Sequence, residues 1–367
     1  MKRETVLAAV THAPGQVVLR EFPRPELGPD DLLLRVELCG ICGSDLHIFE
    51  GDRPRPYPMI QGHEFVGTVA AIGERARDRN RVDVGDRVTV EVLVPCQTCP
   101  WCRAGTYNLC LANRTEGWMY GCNISCERPP HLWGAWAQYL YVPARALVHR
   151  LPDGIPWERA VLTEPLSVAV RAVHLSPIRV GEPAVVIGSG PIGLLTALVA
   201  NLAGARPVIL VGRREERLWL AQRLGATVVI NEQEEDPTEA VLRLTEGGAP
   251  VVFEAAGTVQ SQQAAFAYAR PGGTVTLLGL TGAQPVPLAL DRVIVTREVR
   301  VQGSAMGAQA YPATLEILAG SGFPLEALVT HRFPLSRVEE ALHTVRGRGG
   351  GCIKAVIAPW DPGGLPT

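Results

Sequence analysis

Four cysteines in the run CQTCPWCRAGTYNLC constrain this chain more than any other feature. They are Cys96, Cys99, Cys102 and Cys110, and their spacing is C-x2-C-x2-C-x7-C. Four thiolates this close in sequence match a tetrahedral structural zinc site, which leaves no open position on the metal. Disulfide bonds are the other use of such cysteines, but the chain has 9 cysteines, an odd number, and no mark of secretion. The spacing therefore predicts a structural zinc in this segment.

Composition narrows the class of protein. A length of 367 residues suggests about two domains, and a hydrophobic content of 47% is enough for a large core. The net charge of -2 without a basic block argues against nucleic acid and against an anionic membrane surface as partners. The N-terminus has no apolar signal segment, and every apolar run is too short to span a membrane. We expect a cytoplasmic protein with small-molecule partners.

The pattern of apolar runs changes along the chain. Short apolar runs separated by Gly, Pro and Asp predict a β-rich region over residues 1–150. A helical pattern covers 157–175, and the proline at 165 is expected to bend or split that helix. From residue 181 to about 304, buried strands alternate with helices, which predicts βαβ units in a doubly wound parallel sheet. Two more helices and a last strand follow.

A glycine-rich loop marks the first strand-to-helix turn of that alternation. The run GSGPIG contains Gly188, Gly190, Pro191, Ile192 and Gly193, and it follows a strand and opens a helix. The three glycines permit the tight turn, the approach of a pyrophosphate and close helix packing, while the helix N-terminus attracts the phosphates. A glycine-rich turn without a ligand is the alternative. In this context the loop predicts a dinucleotide-binding site.

The end of the second strand bears on the choice of cofactor. An NAD site usually has Asp or Glu there for the ribose 2′-hydroxyl, whereas this chain has Gly212 followed by Arg213 and Arg214. Arginine can bind a 2′-phosphate, and glycine removes a repelling carboxylate. Alternatively, the arginines only begin a solvated helix, and Glu215 or Glu216 binds the ribose. We predict NADP, with NAD as the second choice.

A second set of metal-binding residue types lies upstream. The runs CGICGSDLH and GHEFVG contain Cys42, His63 and Glu64, which combine one soft and two harder ligands. This mixture suits a catalytic zinc that keeps an open position. Cysteine and histidine are also common as structural residues, so these residues alone leave the site open.

The order of these motifs resembles the zinc-dependent medium-chain alcohol/polyol dehydrogenase family, in its sorbitol/threonine dehydrogenase-like branch. The resemblance covers nearly the whole chain and is carried by CGICGSDLH, GHEFVG, VGDRV, the four cysteines, TEPLSVA and GSGPIG. It implies an α/β protein with a β-rich, GroES-like, zinc-binding catalytic domain at 1–157 and 305–367. A Rossmann domain with a doubly wound parallel sheet would occupy 158–304. It also implies two zincs per chain and a homotetramer or homodimer.

The resemblance implies ligands for a catalytic zinc. Cys42 and His63 match residues that bind the metal, and Glu64 matches a glutamate that binds directly or exchanges with water or substrate. Where well-studied alcohol dehydrogenases have a cysteine, TEPLSVA has Glu164. The fourth ligand is then either Glu164 or a water with Glu164 behind it. A salt bridge at a bent helix is the other interpretation of Glu164.

The resemblance also implies catalytic residues around this zinc. Ser44 matches a hydroxyl that passes the alcohol proton outward, and His47 either continues this relay or is a surface residue. Asp45 is expected to accept the other ring N–H of a ligand histidine and fix its tautomer, or else to cap a turn.

Three further cofactor contacts rest on the resemblance. Arg217 matches an arginine near the adenosine ribose, and Leu280 and Ala305 match loops that flank the nicotinamide. Each could instead be an ordinary helix-surface or loop residue.

The predicted reaction is reversible hydride transfer between a secondary alcohol or polyol and NADP. The alternatives are an NAD-preferring polyol or sugar dehydrogenase, a non-catalytic zinc protein, and a zinc-independent quinone reductase of the same fold. The identity of the alcohol stays open. Segment 111–135 contains aromatic residues that either line a pocket or belong to a surface loop, namely Trp118, Tyr120, His131 and Trp133.

Overall fold

The computed structural model describes residues 4–52, 54–115, 117–347 and 349–362. Its contacts divide the chain into two compact units. The first comprises Met1–Glu164, Thr314–Gly320 and Glu326–Thr367, and the second comprises Pro165–Ala313 and Ser321–Leu325. The domain boundaries expected from the sequence, after residues 157 and 304, stay a prediction. Among the described residues, every helix is too short or too polar to span a bilayer.

The strands in chain order are β1 Thr5–Ala13, β2 Gln16–Pro23, β3 Leu32–Gly40, β4 Met59–Ile60, β5 Glu64–Ile72, β6 Arg87–Val90, β7 Tyr139–Val142, β8 Val148–Arg150, β9 Ala184–Ile187, β10 Val208–Gly212, β11 Val228–Asn231, β12 Ala249–Glu254, β13 Ala269–Leu277, β14 Arg300–Gly303, β15 Val329–Pro334 and β16 Lys354–Ala358. The α-helices are α1 Gly43–Glu50, α2 Glu74–Asn80, α3 Pro100–Arg103, α4 Leu111–Thr115, α5 Trp157–Ala160, α6 Thr163–His174, α7 Pro191–Leu202, α8 Glu215–Arg223, α9 Pro237–Leu244, α10 Val259–Tyr268, α11 Tyr311–Gly320 and α12 Val338–Gly347. Short 3-10 segments lie at Tyr107–Leu109, Leu325–Leu328, Leu335–Arg337 and Gly349–Gly351, and a π turn lies at Asp291–Val295.

The first unit is built on β-sheets. A seven-stranded sheet has the order β15-β16-β3-β5-β6-β8, with β7 also paired to β3, and a three-stranded sheet has the order β2-β1-β4. Strand β3 lies between β5 and β16, and both pairings are antiparallel. Gly40, the last residue of β3, is therefore opposite Glu64 on one side and Val356 on the other. This register brings together segments that are far apart in the sequence.

The second unit is a parallel sheet with helices. Its order is β11-β10-β9-β12-β13-β14, and every pairing is parallel. Strands β9 and β12 are buried along their whole length, as expected for strands covered on both faces. The order is that of a doubly wound dinucleotide-binding sheet, so the predicted fold class is confirmed.

The helix predicted over 157–175 is split, but before the proline. Helix α5 ends at Ala160 and α6 begins at Thr163, so Pro165 lies in the first turn of α6. Proline is tolerated in a first turn because the N–H it lacks has no partner there in any case. The break therefore lies at residues 161–162 rather than at the proline.

Three aromatic residues of segment 111–135 belong to the core. Trp118, Tyr120 and Trp133 are all buried, and the ring centroids of Trp118 and Trp133 are 5.6 Å apart in an edge-to-face arrangement. The guanidinium of Arg128 lies over the Trp118 ring, with its central carbon 3.8 Å from the ring centroid. Edge-to-face and cation–π contacts of this kind add to burial. These three rings are therefore packing residues and not an exposed loop surface.

Candidate functional site

The four cysteines predicted to bind zinc come together. The sulfur atoms of Cys96, Cys99, Cys102 and Cys110 all lie within 4.8 Å of one another. The Cys96 and Cys102 sulfurs are 3.9 Å apart, close to the roughly 3.8 Å that a tetrahedral zinc with Zn–S bonds of about 2.3 Å requires. All nine cysteines, each within the described residues, are free thiols. This donor set fits a structural zinc.

Backbone N–H groups prepare these sulfurs for a metal. The N–H of Cys99 donates to Cys96 Sγ at 3.4 Å, and the N–H of Cys96 donates to Cys110 Sγ at 3.3 Å. Hydrogen bonds from Thr98, backbone and hydroxyl, together with that from Cys99, lower the pKa of Cys96 to about 5. A thiolate is the form that binds zinc, so the local backbone favours the metal-binding state.

A buried carboxylate holds the segment that carries the four cysteines, residues 96–110, which we call the cysteine lobe. Glu91, at 4% side-chain exposure, accepts hydrogen bonds from the Tyr107 hydroxyl at 2.8 and 3.0 Å. Its Oε1 also lies 2.9 Å from Nε2 of His149 on β8. Tyr107 stands between the third and fourth cysteines, so Glu91 ties the lobe to the sheet.

Three residues from two motifs form a second candidate metal site. The ligand atoms of Cys42, His63 and Glu64 lie within 4.8 Å of one another. Cys42 directly precedes the first residue of α1, Glu64 is the first residue of β5, and His63 directly precedes that strand. Three protein ligands, namely one thiol, one imidazole and one carboxylate, match a catalytic zinc site, in which the fourth position is left for water or substrate. The structure thus brings together residues that the sequence alone left open.

Asp45 holds both motifs in place. Its Oδ2 accepts the Cys42 N–H at 2.9 Å, and its Oδ1 lies 3.4 Å from Nδ1 of His63. The buried amide of Gln61 donates to the Asp45 carbonyl at 3.0 Å. Burial disfavours charge on the His63 ring, but Cys122 and Asp45 beside it outweigh this and raise the pKa of His63 well above its usual value. The surroundings therefore favour a proton on the His63 ring, which a metal would have to displace, because histidine binds metal in its neutral form.

Glu64 has a charged partner that the sequence did not indicate. The ammonium group of Lys354, at the start of β16, pairs with Glu64 Oε2 and also donates to the Ile41 carbonyl at 3.1 Å. Burial alone would lower the pKa of Lys354, but the charges of Glu64 and Cys42 outweigh it and raise that pKa. A Cβ at Gly40 would lie 2.2 Å from Glu64 Oε2 and 2.9 Å from Lys354 Cε. The absence of a side chain at Gly40 therefore makes room for the pair.

Glu164 lies close to the same group of charges. Burial raises the pKa of the Glu164 carboxyl to about 7; His63 and Lys354 oppose the shift, and Glu64 adds to it. Its carboxyl is therefore poised between neutral and ionised forms near neutral pH. Whether Glu164 binds metal directly or through water stays a prediction.

Ser44 and His47 lie on the same helix, α1. The Ser44 hydroxyl is 3.4 Å from Nε2 of His63, next to the candidate ligands. His47, three residues further on, has a side chain 45% exposed and its Nδ1 2.6 Å from Asp52 Oδ2. Residues three apart in a helix lie on the same face, so Ser44 and His47 are on one face of α1. Ser44 is next to the candidate ligands, and His47 is the more solvent-exposed of the two. This placement suits a proton path and leaves their roles as predictions.

His47 also belongs to a third group of possible metal ligands, with Glu50 and Asp52. Ion pairs account for this group. Asp52 pairs with His47, and Glu50 Oε1 lies 3.0 Å from Nε of Arg346. We assign no metal to it.

The glycine-rich loop has the geometry predicted for it. Gly188 follows β9 with φ 107°, and Gly190 caps α7. A Cβ at Gly193 would lie 1.8 Å from the Gly188 carbonyl, whereas a Cβ at Gly190 would meet nothing within 4 Å. Gly193 is thus required by packing, and Gly190 leaves open space in front of the helix that Pro191 and Ile192 begin. These features fit a dinucleotide pyrophosphate.

The end of β10 presents the residues predicted to contact the adenosine ribose. Gly212 is buried, and Arg213 Nε forms an ion pair with Glu232 Oε1 at 2.8 Å. Arg214 caps α8. Arg217 is buried and donates to the Ser189 carbonyl at 3.4 Å, which ties α8 to the glycine-rich loop. All four predicted residues lie at the carboxyl end of β10 or in the first turn of α8, which follows it.

Leu280 and Ala305 follow β13 and β14, respectively. Both are exposed, with Leu280 at 65%. The backbone of Leu280 packs on Gly257, where a Cβ would lie 2.8 Å from the Leu280 carbonyl oxygen. Their proximity to a nicotinamide stays a prediction.

Four residues of these sites were not predicted. Lys354 and Glu91 are charged residues with low exposure, Cys122 contacts the His63 ring, and Glu232 pairs with Arg213. Lys354 is one of only two lysines in the sequence, which was an available signal. Glu232 directly follows the third strand of the predicted doubly wound sheet, so its place beside Gly212 could also have been inferred.

Family comparisons agree with both units. Residues 28–153 match the family described as alcohol dehydrogenase GroES-like domain, and residues 191–320 match the one described as zinc-binding dehydrogenase. The first match lies within the β-rich unit, and the second begins at α7, after β9, and includes β10 to β14 of the parallel sheet.

Similar proteins extend over almost the entire chain. A protein named probable alcohol dehydrogenase of Mycobacterium tuberculosis is 37% identical, over 96% of this chain and 98% of its own length. The sorbitol dehydrogenase of Bacillus subtilis is 32% identical, over 97% and 98%. A Sinorhizobium meliloti protein solved with NADP bound superposes with a TM-score of 0.87 at 31% identity, over 97% of this chain and 100% of its own.

Proposed function

This chain belongs to the zinc-dependent medium-chain alcohol/polyol dehydrogenase family, and we propose that it transfers a hydride between a secondary alcohol or polyol and NADP. The chain is an NAD(P)-dependent alcohol or polyol dehydrogenase; the choice of NADP and the class of alcohol are the proposed parts. The observation that carries the proposal is the convergence of Cys42, His63 and Glu64 within 4.8 Å. A zinc at this site would have an open position for a substrate oxygen.

The donor sets fit two zincs of different kinds. The four cysteines supply a closed site, and Cys42, His63 and Glu64 supply an open one, with Glu164 as the proposed fourth ligand or as the partner of a ligand water. When bound, the second zinc supplies Lewis-acid polarisation of the substrate oxygen, and the nicotinamide accepts or donates the hydride. Asp45, whose Oδ1 lies 3.4 Å from His63 Nδ1, is the proposed group that would orient the His63 ring and leave Nε2 for the metal.

Oxidation of an alcohol to a ketone releases a hydride and a proton, and this chain must move the proton. The Ser44 hydroxyl, 3.4 Å from His63 Nε2, is the proposed first acceptor. His47 is half-exposed and hydrogen-bonded to Asp52, so it is the proposed group that releases the proton to solvent. In the reducing direction the same groups supply the proton.

The preference for NADP is supported by the end of β10. Gly212 offers no carboxylate that would repel a 2′-phosphate, and Arg213 and Arg214 follow it directly. The bound NADP of the Sinorhizobium meliloti relative is consistent with this choice. An NAD-preferring polyol or sugar dehydrogenase is the alternative outcome.

A substrate panel tests the proposal. Purified protein would be offered secondary alcohols and polyols with NADP or NAD, and absorbance of the reduced cofactor would be followed. We expect turnover with at least one alcohol and a lower KM for NADP than for NAD. A lower KM for NAD would overturn the cofactor preference, and absence of turnover with zinc bound would overturn the proposed substrates.

A pair of cysteine variants links turnover to the proposed metal site. Cys42→Ser should abolish turnover and lower the bound zinc from two per chain to one. Cys126→Ala, at a buried cysteine that belongs to neither proposed metal site, should keep both. Equal activity of the two variants would overturn the assignment of Cys42.

We also propose a homotetramer or homodimer and a cytoplasmic location. Light scattering of the purified protein and fractionation of cells test these two expectations.

A further inference from the structure

A glutamate lies beside the proposed 2′-phosphate site. Strands β10 and β11 are parallel neighbours in which Gly212 pairs with Asn231. The next residue, Glu232, donates its backbone N–H to the Gly212 carbonyl at 2.9 Å. The sheet therefore fixes the backbone of Glu232 next to Gly212, which no change of side-chain rotamer can alter.

The side chain of Glu232 holds the first of the two arginines. Its Oε1 is 2.8 Å from Nε of Arg213, and the two side chains are 35% and 61% exposed. Nε is one of the donors through which a guanidinium binds a carboxylate or phosphate side-on. The arginine proposed to receive a 2′-phosphate is thus already paired with a carboxylate of this chain.

The two cofactors meet this ion pair differently. A 2′-phosphate must displace Glu232 from Arg213 or share the arginine with it, and it is repelled by the carboxylate in either case. The 2′-hydroxyl of NAD carries no charge and does not need the guanidinium. We propose that Glu232 is a specificity-determining residue that weakens NADP binding relative to NAD by holding Arg213. This inference rests on the proposed cofactor site.

Glu232→Gln tests this proposal by binding rather than by turnover. Dissociation constants for NADP and NAD, and for the fragments 2′-phospho-AMP and AMP, would be measured by calorimetry. An exposed ion pair is weak, so we expect the dissociation constants of NADP and 2′-phospho-AMP to fall by about fivefold. Those of NAD and AMP should not change. In an Arg213→Gln background, the same substitution should have a smaller effect, because the arginine that it frees is gone.

Glu235→Gln is the matched control. Glu235 is three residues away and pairs with Arg243 Nη2 at 3.1 Å, so the substitution removes the same charge and a similar exposed ion pair. Because Arg243 is on α9 and not at the proposed ribose site, no dissociation constant should change. A tightening of NADP binding equal to that of Glu232→Gln would mean that net charge alone acts, and would overturn the inference.

Other outcomes separate this inference from the proposed function. Unchanged NADP affinity in Glu232→Gln overturns the inference while the enzyme remains a dehydrogenase. Weaker NAD affinity with unchanged NADP affinity also overturns it, since Glu232 would then be the acceptor of the ribose hydroxyl. Selective tightening of NADP in a protein whose wild type prefers NAD supports the inference and rejects the proposed NADP preference.

Discussion

Lys354 and Glu64 form an ion pair in the interior of the first unit, with side chains only 3% and 1% exposed. The lysine stands at the start of β16 and the glutamate at the start of β5, on either side of β3. Taking two charges out of water is costly, so such a pair is kept only where geometry and further hydrogen bonds compensate. The Ile41 carbonyl provides one such bond. Because Glu64 is also a proposed zinc ligand, Lys354 affects both stability and metal binding.

Lys354→Met should destabilise the metal-stripped protein by about 3–5 kcal/mol, because it leaves the Glu64 carboxylate buried without its partner. The measurement is the free energy of unfolding in urea. The double variant Lys354→Met with Glu64→Gln removes both charges, so it should recover part of this loss. A single-variant loss below about 1 kcal/mol, as for an exposed pair, would contradict the structural assignment.

Cys96→Ser and Cys42→Ser should affect different properties. Loss of a ligand from the closed four-cysteine site should release its zinc and lower the melting temperature, because a structural zinc contributes folding energy. Loss of Cys42 should remove turnover and leave the melting temperature nearly unchanged. Zinc content and circular dichroism melting of both variants check this. The division of roles fails if Cys96→Ser melts like the wild type but has no activity.

Tyr107→Phe should loosen the cysteine lobe. The substitution removes the hydroxyl that donates to Glu91, and a hydrogen bond to a charged group contributes about 2 kcal/mol. We expect faster release of one zinc to a chelator and a lower melting temperature. Tyr139→Phe is the control, since that ring packs edge-on against Trp360 and not against Glu91. Equal release rates for both variants would rule out an anchoring role for Glu91.

Alanine substitutions in the glycine-rich loop should separate packing from binding. At Gly193 a Cβ would lie 1.8 Å from the Gly188 carbonyl, so Gly193→Ala should lower stability and cofactor affinity together. At Gly190 nothing lies within 4 Å, so Gly190→Ala should fold normally but obstruct the pyrophosphate. Melting temperatures and calorimetric NADP affinities distinguish the two effects. Normal NADP affinity in Gly190→Ala would place the pyrophosphate elsewhere.

Zinc affinity of the open site should depend on pH through Glu164. Its carboxyl has a pKa of about 7, so it is neutral below that pH and ionised above it. Zinc binds the ionised form, so affinity should weaken as the pH falls from about 8 to about 6. Chelator competition across this range measures the effect. Glu164→Gln, which cannot ionise, should show a shallower dependence, and identical slopes would exclude Glu164 from zinc binding.

Patterns local in the sequence predicted much of this structure. The doubly wound sheet was recognisable because strands buried on both faces are continuously apolar, as in β9 and β12. The cysteine lobe was recognisable because its ligands lie within one short segment, where the chain itself limits their separation. A break in the helix was expected at Pro165. The break lies instead at residues 161–162, before the proline, and proline does not cause it.

The contacts that a sequence conceals are those set by strand pairing between distant segments. Lys354 meets Glu64 only because β16 and β5 both flank β3 in one register. Glu91 likewise meets His149 through the pairing of β6 with β8. Neither pairing leaves a local signature, since a charged residue that is buried in a pair looks like any surface charge in the sequence. Burial, and not residue type, distinguishes them.

The lack of space at Gly40 limits how three positions of the sequence can change in evolution. Because a side chain there would occupy the space of both Glu64 and Lys354, the three positions cannot vary independently. In a set of related sequences, any side chain at position 40 should appear together with a lost charge at position 64 or 354. Whether position 40 is glycine should therefore indicate, from the sequence of a relative alone, whether that relative can keep the buried pair.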